Sequence, residues 1–462
     1  GSSRPSLLCD RSPAERGDLF QRGSGGAPPE KMEVEMFTVT TLQEFSRKRK
    51  TTRQESIRRD VEEIIRDVIR RGDDALRGYS LKFDHAEIQD FRVSEKDFRQ
   101  APPLSGDLKR ILAESYARLE DFARFQLGEA RPFSFREKET APGLRAGERI
   151  VPVRRAGVYV PGGRFPLFSS LLMGVAPARV AGVKEIALFT PPGKDGKPHP
   201  VILAAAALLG IEEVYALGGA QAIAAMAYGT ESIPKVDIIA GPGNSWVTEA
   251  KRQVFGDVGI DLVAGPSEIL VIADDSCDPA LVAADLYAQA EHDTHAMPLL
   301  AVFGEETRER ILKEVQTLLD TIPDTKTARI SFAEKSACFL VSTFEEAATL
   351  ADSLAPEHLQ LHVEEPGRYL DVLSNYGSLF AGAKSAEVLG DYVSGLNHTL
   401  PTGGTARFQN GLNVWTFLKR QTVLQADERC DSRIYAAAQI MAEAEGLKGH
   451  ARSAGSRLKK RD

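Results

Sequence analysis

Two Glu-His pairs, Glu291-His292 and Glu357-His358, stand out in a chain of 462 residues with only eight histidines. Histidine is the usual general base at neutral pH and the commonest metal ligand. The first pair closes the segment Gln289-Ala290-Glu291-His292. On a helix, Gln289 and His292 would lie on one face, one turn apart. An amide oxygen and an imidazole nitrogen so placed can bind one divalent cation. Gln is an uncommon ligand, and a His292 that caps carbonyls at a helix end is the alternative. The second pair follows Pro356, where a preceding helix should stop. Adjacent residues on an extended segment point to opposite sides, so Glu357 and His358 are not expected to hydrogen-bond each other. They could serve two separate proton transfers around one substrate, or form a polar turn.

Three further places carry candidate chemistry. Asp391 lies in a glycine-bearing polar stretch from Gly382 to Gly404 that also holds His398 and reads as a long loop, a common home for function. Glu445 falls in the last turn of a helical tail, where a carboxylate opposes the helix dipole, and His450 lies just beyond. Glycine-rich turns at Pro161-Gly162-Gly163, Gly218-Gly219 and Gly241-Pro242-Gly243-Asn244 each follow a strand-like run. That is where α/β proteins place ligand loops, although none is the GxGxxG dinucleotide fingerprint.

The elements that must position these residues are α/β in pattern. Highly charged helical windows come first, over 42–72 and 108–125, the former with Val61, Ile64, Ile65, Val68 and Ile69 at helical spacing. From Gly157 onward, β-branched runs alternate with Ala/Leu-rich windows, which implies parallel βαβ units. One series has strands at 185–190, 213–217 and 236–240, with helices at 170–182, 201–210, 220–228 and 246–255. A second has strands at 268–273, 297–303, 337–342, 359–363 and 378–381, with helices at 279–292, 306–319, 344–354 and 366–375. The fold class expected is α/β, two Rossmann-like doubly wound domains with helical N-terminal and C-terminal extensions. The tail reads as one helix over 424–446, with Ile434, Ile440, Met441 and Ala444 as its apolar face and Gly446 as its stop.

Composition narrows the function classes. The net charge of −7 is dispersed, which argues against nucleic-acid binding. No apolar run approaches the ~20 residues of a membrane helix. Cys9, Cys277, Cys338 and Cys430 form neither a CxxC motif nor a disulfide framework, which fits a reducing, cytoplasmic setting. Residues 1–35 open on Gly-Ser-Ser like an expression scar and are rich in Gly and Pro; they are expected to be disordered, with Met32 or Met36 as a native start. The basic end at 457–461 reads as a solvated tail.

Taken in order, several stretches resemble the histidinol dehydrogenase family: 157–163, 240–244, Ala264-Gly265-Pro266-Ser267-Glu268, 289–292, 356–359 and 394–404, within a likeness spanning 37–452. The resemblance implies oxidation of L-histidinol to L-histidine through the aldehyde, with two NAD and one zinc. It puts the zinc on Gln289, His292, Asp391 and His450, and the acid/base pair on Glu357 and His358. It implies substrate contacts at Ser267, Gln289, His292, His358, Asp391, Glu445 and His450, with His398 also near the pocket, and NAD contacts at Tyr159, Gln221 and Asn244. Glu291 would be a bystander. An intertwined homodimer is also implied, with Glu445 and His450 reaching the partner's site. The domains would be an arm at 36–53, a main α/β domain at 54–158 plus 267–412, a second at 159–266 and a tail at 413–462. Leu396, Thr399 and Gln409-Asn410 depart from the family pattern without touching a motif ligand. Rival readings are a sister dehydrogenase for another amino alcohol, a zinc hydrolase working without NAD, and a non-catalytic binding protein.

Overall fold

The computed structural model describes residues 36–49, 55–162 and 166–458. Its strands are β1 (Phe135–Ala141), β2 (Leu144–Pro152), β3 (Arg155–Tyr159), β4 (Glu185–Thr190), β5 (Val214–Ala216), β6 (Ile238–Ala240), β7 (Gly259–Ile260), β8 (Glu268–Ala273), β9 (Met297–Val302), β10 (Ala337–Leu340), β11 (His358–His362), β12 (Ser378–Ala381) and β13 (Leu418–Ala426). They make two five-stranded sheets, ordered β5-β4-β3-β6-β7 and β10-β9-β8-β11-β12. All pairings in both are parallel. Every residue of β3, β8 and β11 is buried, because helices cover both faces of a parallel sheet. In each sheet the strand order reverses at one point, between β3 and β6 and between β8 and β11. Doubly wound sheets open a crevice at such reversals.

A third sheet, β1-β2-β13, is antiparallel. The single tail helix expected over 424–446 is therefore corrected. Leu418–Ala426 pairs along β2 from Pro152 to Leu144, and two helices follow, Ser432–Ala444 and Lys448–Gly455. Gly446 does end the first, at φ +77°. Strand pairing satisfies the backbone of this polar segment, which had no apolar face to make a helix pay off. The helix expected at 366–375 shrinks to Gly367–Leu370. A helix at Lys326–Lys335 was not anticipated.

Two apolar cores show where the N-terminal helices pack. Helix Glu55–Arg71 buries Val61, Ile64, Ile65 and Val68 in one core with Tyr159, Tyr215, Ile223 and Val247; Ile69 faces solvent. Leu112 and Leu119 of helix Gly106–Leu127 share a core with Val158, Leu171 and Leu188. The helices of 55–127 thus pack on the sheet of β3 to β7, not with 267–412. Contact between apolar faces decides membership, and charged windows do not reveal their partner from sequence. Among the described residues, no helix is long and apolar enough to cross a membrane.

Candidate active site

The second Glu-His pair enters where helix Phe344–Leu354 stops. Ala355 takes a left-handed conformation at φ +47°, and Pro356 leads into β11. Glu357 and His358 are both 5% exposed. The Glu357 carboxylate accepts the Glu268 N–H at 2.9 Å, and His358 Nδ1 lies 3.2 Å from the Glu268 carbonyl oxygen. A carbonyl only accepts, so Nδ1 is the protonated nitrogen and Nε2 of the neutral ring keeps its lone pair. The two side chains approach to 3.9 Å, too far to hydrogen-bond. They do not diverge to opposite sides as expected. Glu357 precedes the strand, so strand alternation does not govern it, and both turn to the backbone of Glu268. Burial holds the His358 imidazole down at about 4, against the Asp391 charge that favours its protonation. Burial pushes the Glu357 carboxyl well up, while the Glu268 N–H opposes the rise.

The first pair behaves differently from the sequence expectation. Helix Pro279–Ala290 ends before it, with Glu291 as the C-cap, so His292 lies past the last turn instead of stacked on Gln289. His292 Nε2 points to Asp391 Oδ2 at 4.0 Å. Gln289 is wholly buried, and neither its Nε2 nor its Oε1 has a partner among the described residues. Asp391 is not in a loop: it rides helix Glu387–Tyr392, one turn after Glu387 and on the same face. This helix packs on Pro279–Ala290. Atoms of His358, Glu387 and Asp391 lie within 4.8 Å of one another.

Glu387 was missed by sequence reasoning. Its Oε1 stands 3.4 Å from His358 Nε2, and burial with the nearby Asp391 and Asp285 charges pushes its carboxyl up to about 9. The available signal was Glu387 and Asp391 four apart on one helical face. Glu268 was also missed. It looks like the first residue of an ordinary strand, yet it is 1% exposed, and its Oε1 accepts the Gly403 N–H at 2.9 Å.

The residues fit a divalent cation. A buried amide left without a partner costs free energy unless something satisfies it, and three residues after Gln289 the His292 imidazole faces the Asp391 carboxylate. Two donor sets share Asp391: one with Gln289 and His292, the other with His358 and Glu387. The first leaves His358 Nε2 available as a base and gives the orphaned Gln289 amide a role. His398 flanks the cluster, with Nδ1 3.2 Å from the Asp391 carbonyl oxygen and Nε2 3.2 Å from Ser170 Oγ; burial lowers its proton affinity.

Glu445 and His450 are not in this cluster within one chain. Both are exposed, and the helices that flank or carry them pack chiefly on each other. Ile440 and Met441, expected on a buried face, are 66% and 67% exposed.

The remaining candidates line the other sheet. Tyr159 ends β3, and its hydroxyl accepts the Gly219 N–H at 3.1 Å; burial pushes its phenol up to about 12. Gln221 is buried in helix Gly219–Tyr228. Asn244 caps helix Ser245–Val254 by accepting from the Trp246 and Val247 N–H groups. All three stand at the carboxyl edge of β5-β4-β3-β6-β7, with Tyr159 and Asn244 flanking the strand reversal. Gly163 lies outside the described residues, as do residues 1–35 with Cys9, and the last three of the basic end.

A strap and a helix link the carboxyl edge of the first sheet to the amino edge of the second. Residues 261–267 run from the end of β7 to the start of β8, a reach of at most about 24 Å. Ser267, half-buried, closes this strap, and its carbonyl accepts the Met297 N–H at 2.9 Å. Thr402 holds the strap by accepting the Gly265 N–H. Helix Phe168–Val180, which follows β3, supplies Ser170 to His398 and the Met173 carbonyl to Asn397.

A model of the family described as histidinol dehydrogenase matches residues 47–458. The chain is 45% identical over 402 residues to a histidinol dehydrogenase of Bacillus cereus, covering 87% of this chain and 92% of that one. It is 44% identical over 410 residues to that of Gluconobacter oxydans, covering 88% and 94%. A crystal structure of histidinol dehydrogenase from Elizabethkingia anophelis superposes with a TM-score of 0.85 at 36% identity, over 92% of this chain and 98% of that one.

Proposed function

Because the chain belongs to the histidinol dehydrogenase family, and is thereby an NAD-dependent dehydrogenase of histidine biosynthesis, we propose that it oxidises L-histidinol to L-histidine in two steps. The observation that supports this reading best is the backbone of Glu268 holding Glu357 and His358, with His358 within 4.8 Å of Asp391 and His292 facing the same carboxylate at 4.0 Å.

Gln289, His292 and Asp391, with His450 from a second copy of the chain, are the residues we assign to zinc. Bound there, zinc would orient an amino and an imidazole group of the substrate. His358 then takes the alcohol proton at Nε2 as hydride leaves the carbinol carbon for NAD, giving the aldehyde, NADH and one proton. Its Nδ1–H, fixed on the Glu268 carbonyl, keeps the lone pair on Nε2. Burial keeps the ring neutral and ready. Glu357 next takes a proton from water as it adds to the aldehyde. A buried carboxylate is a stronger base than a solvated one. A second hydride leaves the hydrate for a second NAD while His358 takes the hydroxyl proton, which yields the carboxylate. Ser267 and Glu445 complete the substrate contacts. Tyr159, Gln221 and Asn244 hold the cofactor at the carboxyl edge, where helix N-termini suit pyrophosphate.

The setting we assign is the cytoplasm, which suits the free buried Cys277 and Cys338. The assembly is a homodimer in which Glu445 and His450 serve the partner's site; the exposed Ile440 and Met441 on the same tail support it. Two measurements test this reading. NADH should form from L-histidinol and stop with a chelator, whereas turnover without NAD would indicate a hydrolase. Inactive His358→Ala and inactive His450→Ala chains, mixed and reassembled, should regain activity, since one site of the hybrid is then intact. No recovery would place His450 in its own chain's site.

A further inference from the structure

We propose that the buried Lys251–Asp261 ion pair is a positioning device that sets the Gly241–Asn244 loop for NAD; this rests on the reading that the loop holds the cofactor. Lys251, on helix Ser245–Val254, has a side chain 3% exposed, and that of Asp261 is fully buried. The two are in direct contact. Lys251 Nζ also donates to the Gly241 carbonyl at 2.9 Å. Asp261 Oδ2 accepts the Gly241 N–H at 2.8 Å, and its Oδ1 accepts the Leu262 N–H at 2.6 Å. The pair therefore grips both the N–H and the C=O of one glycine.

That glycine lies against the end of β3. Gly241 sits at φ +121°, and a Cβ there would stand 2.1 Å from the Tyr159 carbonyl oxygen. Tyr159 in turn takes the Gly219 N–H on its hydroxyl. Two glycine loops and the end of β3 are thereby tied together at the strand reversal, with Asn244 three residues beyond the gripped peptide. Stability does not account for such a pair. Desolvating two charges costs several kcal/mol, and well-packed apolar residues of like volume are often as good or better. What apolar residues lack is a donor and an acceptor for Gly241. Asp261 also begins the strap to Ser267 and Glu268, so the same pair relates the cofactor loop to the catalytic strand.

The test separates geometry from stability. In the zinc-loaded protein, Lys251→Met/Asp261→Leu removes both charges together, and Asp261→Asn serves if that double variant does not fold. Asn244→Ala probes the loop itself. NADH affinity is read by fluorescence titration, beside thermal stability, zinc content and histidinol affinity. The expected result is an NADH Kd raised about tenfold or more, about 1.4 kcal/mol, with Tm within a few degrees of wild type and zinc and histidinol binding retained. An unchanged NADH Kd in the pair variants, with a raised one in Asn244→Ala, overturns the proposal and leaves the loop reading standing. Unchanged affinity in all variants overturns both. Parallel loss of NADH, histidinol and zinc binding makes the pair merely structural and also overturns the proposal.

Discussion

Gln289 offers a test in which the effect of one substitution on stability should depend on zinc. Its amide is fully buried, and both polar atoms lack partners among the described residues. Each unsatisfied buried group costs about 1–3 kcal/mol. Gln289→Met keeps length and volume and removes both groups, so the metal-free protein should gain about 2–6 kcal/mol. With an unfolding entropy of about 2 cal/mol/K per residue, a chain this size gains about 1 °C per kcal/mol, a rise of about 2–6 °C. Zinc shifts the balance toward the wild type. A ligand at a thousandfold excess over its Kd stabilises the native state by about 4 kcal/mol. The variant, short of one donor, should capture only part of that. Thermal unfolding in chelator and in excess zinc gives the four midpoints needed. The reasoning fails if Gln289→Met is the less stable protein in chelator, or if both proteins gain equally from zinc.

Three other perturbations probe separate parts of the site. Glu357→Gln should bind histidinol within a few-fold of wild type but oxidise histidinal about 10²–10⁴-fold more slowly; a normal histidinal rate would sink the role given to Glu357. Gly241→Ala should lose about 1–3 kcal/mol in urea unfolding, because its new methyl meets the Tyr159 backbone; an unchanged midpoint would contradict the close approach. The pH dependence of stability should carry a signature of His358. Its folded-state value of about 4 lies below the usual histidine range, so it has no effect above pH ~6.5. As pH falls from there toward 4, the unfolded chain takes a proton that the folded one refuses. Up to about 3 kcal/mol is then lost across that window. Unfolding midpoints of His358→Gln should fall less steeply there, and identical slopes would refute the assignment.

Much of the α/β scaffold was legible because buried parallel strands read as short apolar runs between Gly and Pro signals. Strands Glu185–Thr190, Glu268–Ala273 and Ser378–Ala381 and helix Phe344–Leu354 fall where periodicity puts them. The antiparallel sheet did not, since β1 is exposed along nearly its whole length and β13 finds its partner far back in the sequence. Of the site, the pair Glu357-His358 was visible as residue types. What positions it was not: Glu268 matters through its backbone, which no side-chain pattern records. The facing of His292 and Asp391 comes from helix Glu387–Tyr392 packing on Pro279–Ala290, and its carboxylate spacing was hidden in a stretch that reads as loop.

The Glu268 N–H, held by the Glu357 carboxylate, has a consequence for observation. An amide proton bonded to a carboxylate resonates and exchanges differently once that carboxylate takes a proton and weakens as an acceptor. Isotope labelling of this one amide would give a spectator whose shift follows the charge on Glu357 directly. It needs no mutation and no turnover. Such a reporter could follow, in the resting protein and with each ligand added, the ionisation state that a rate profile shows only through the whole cycle.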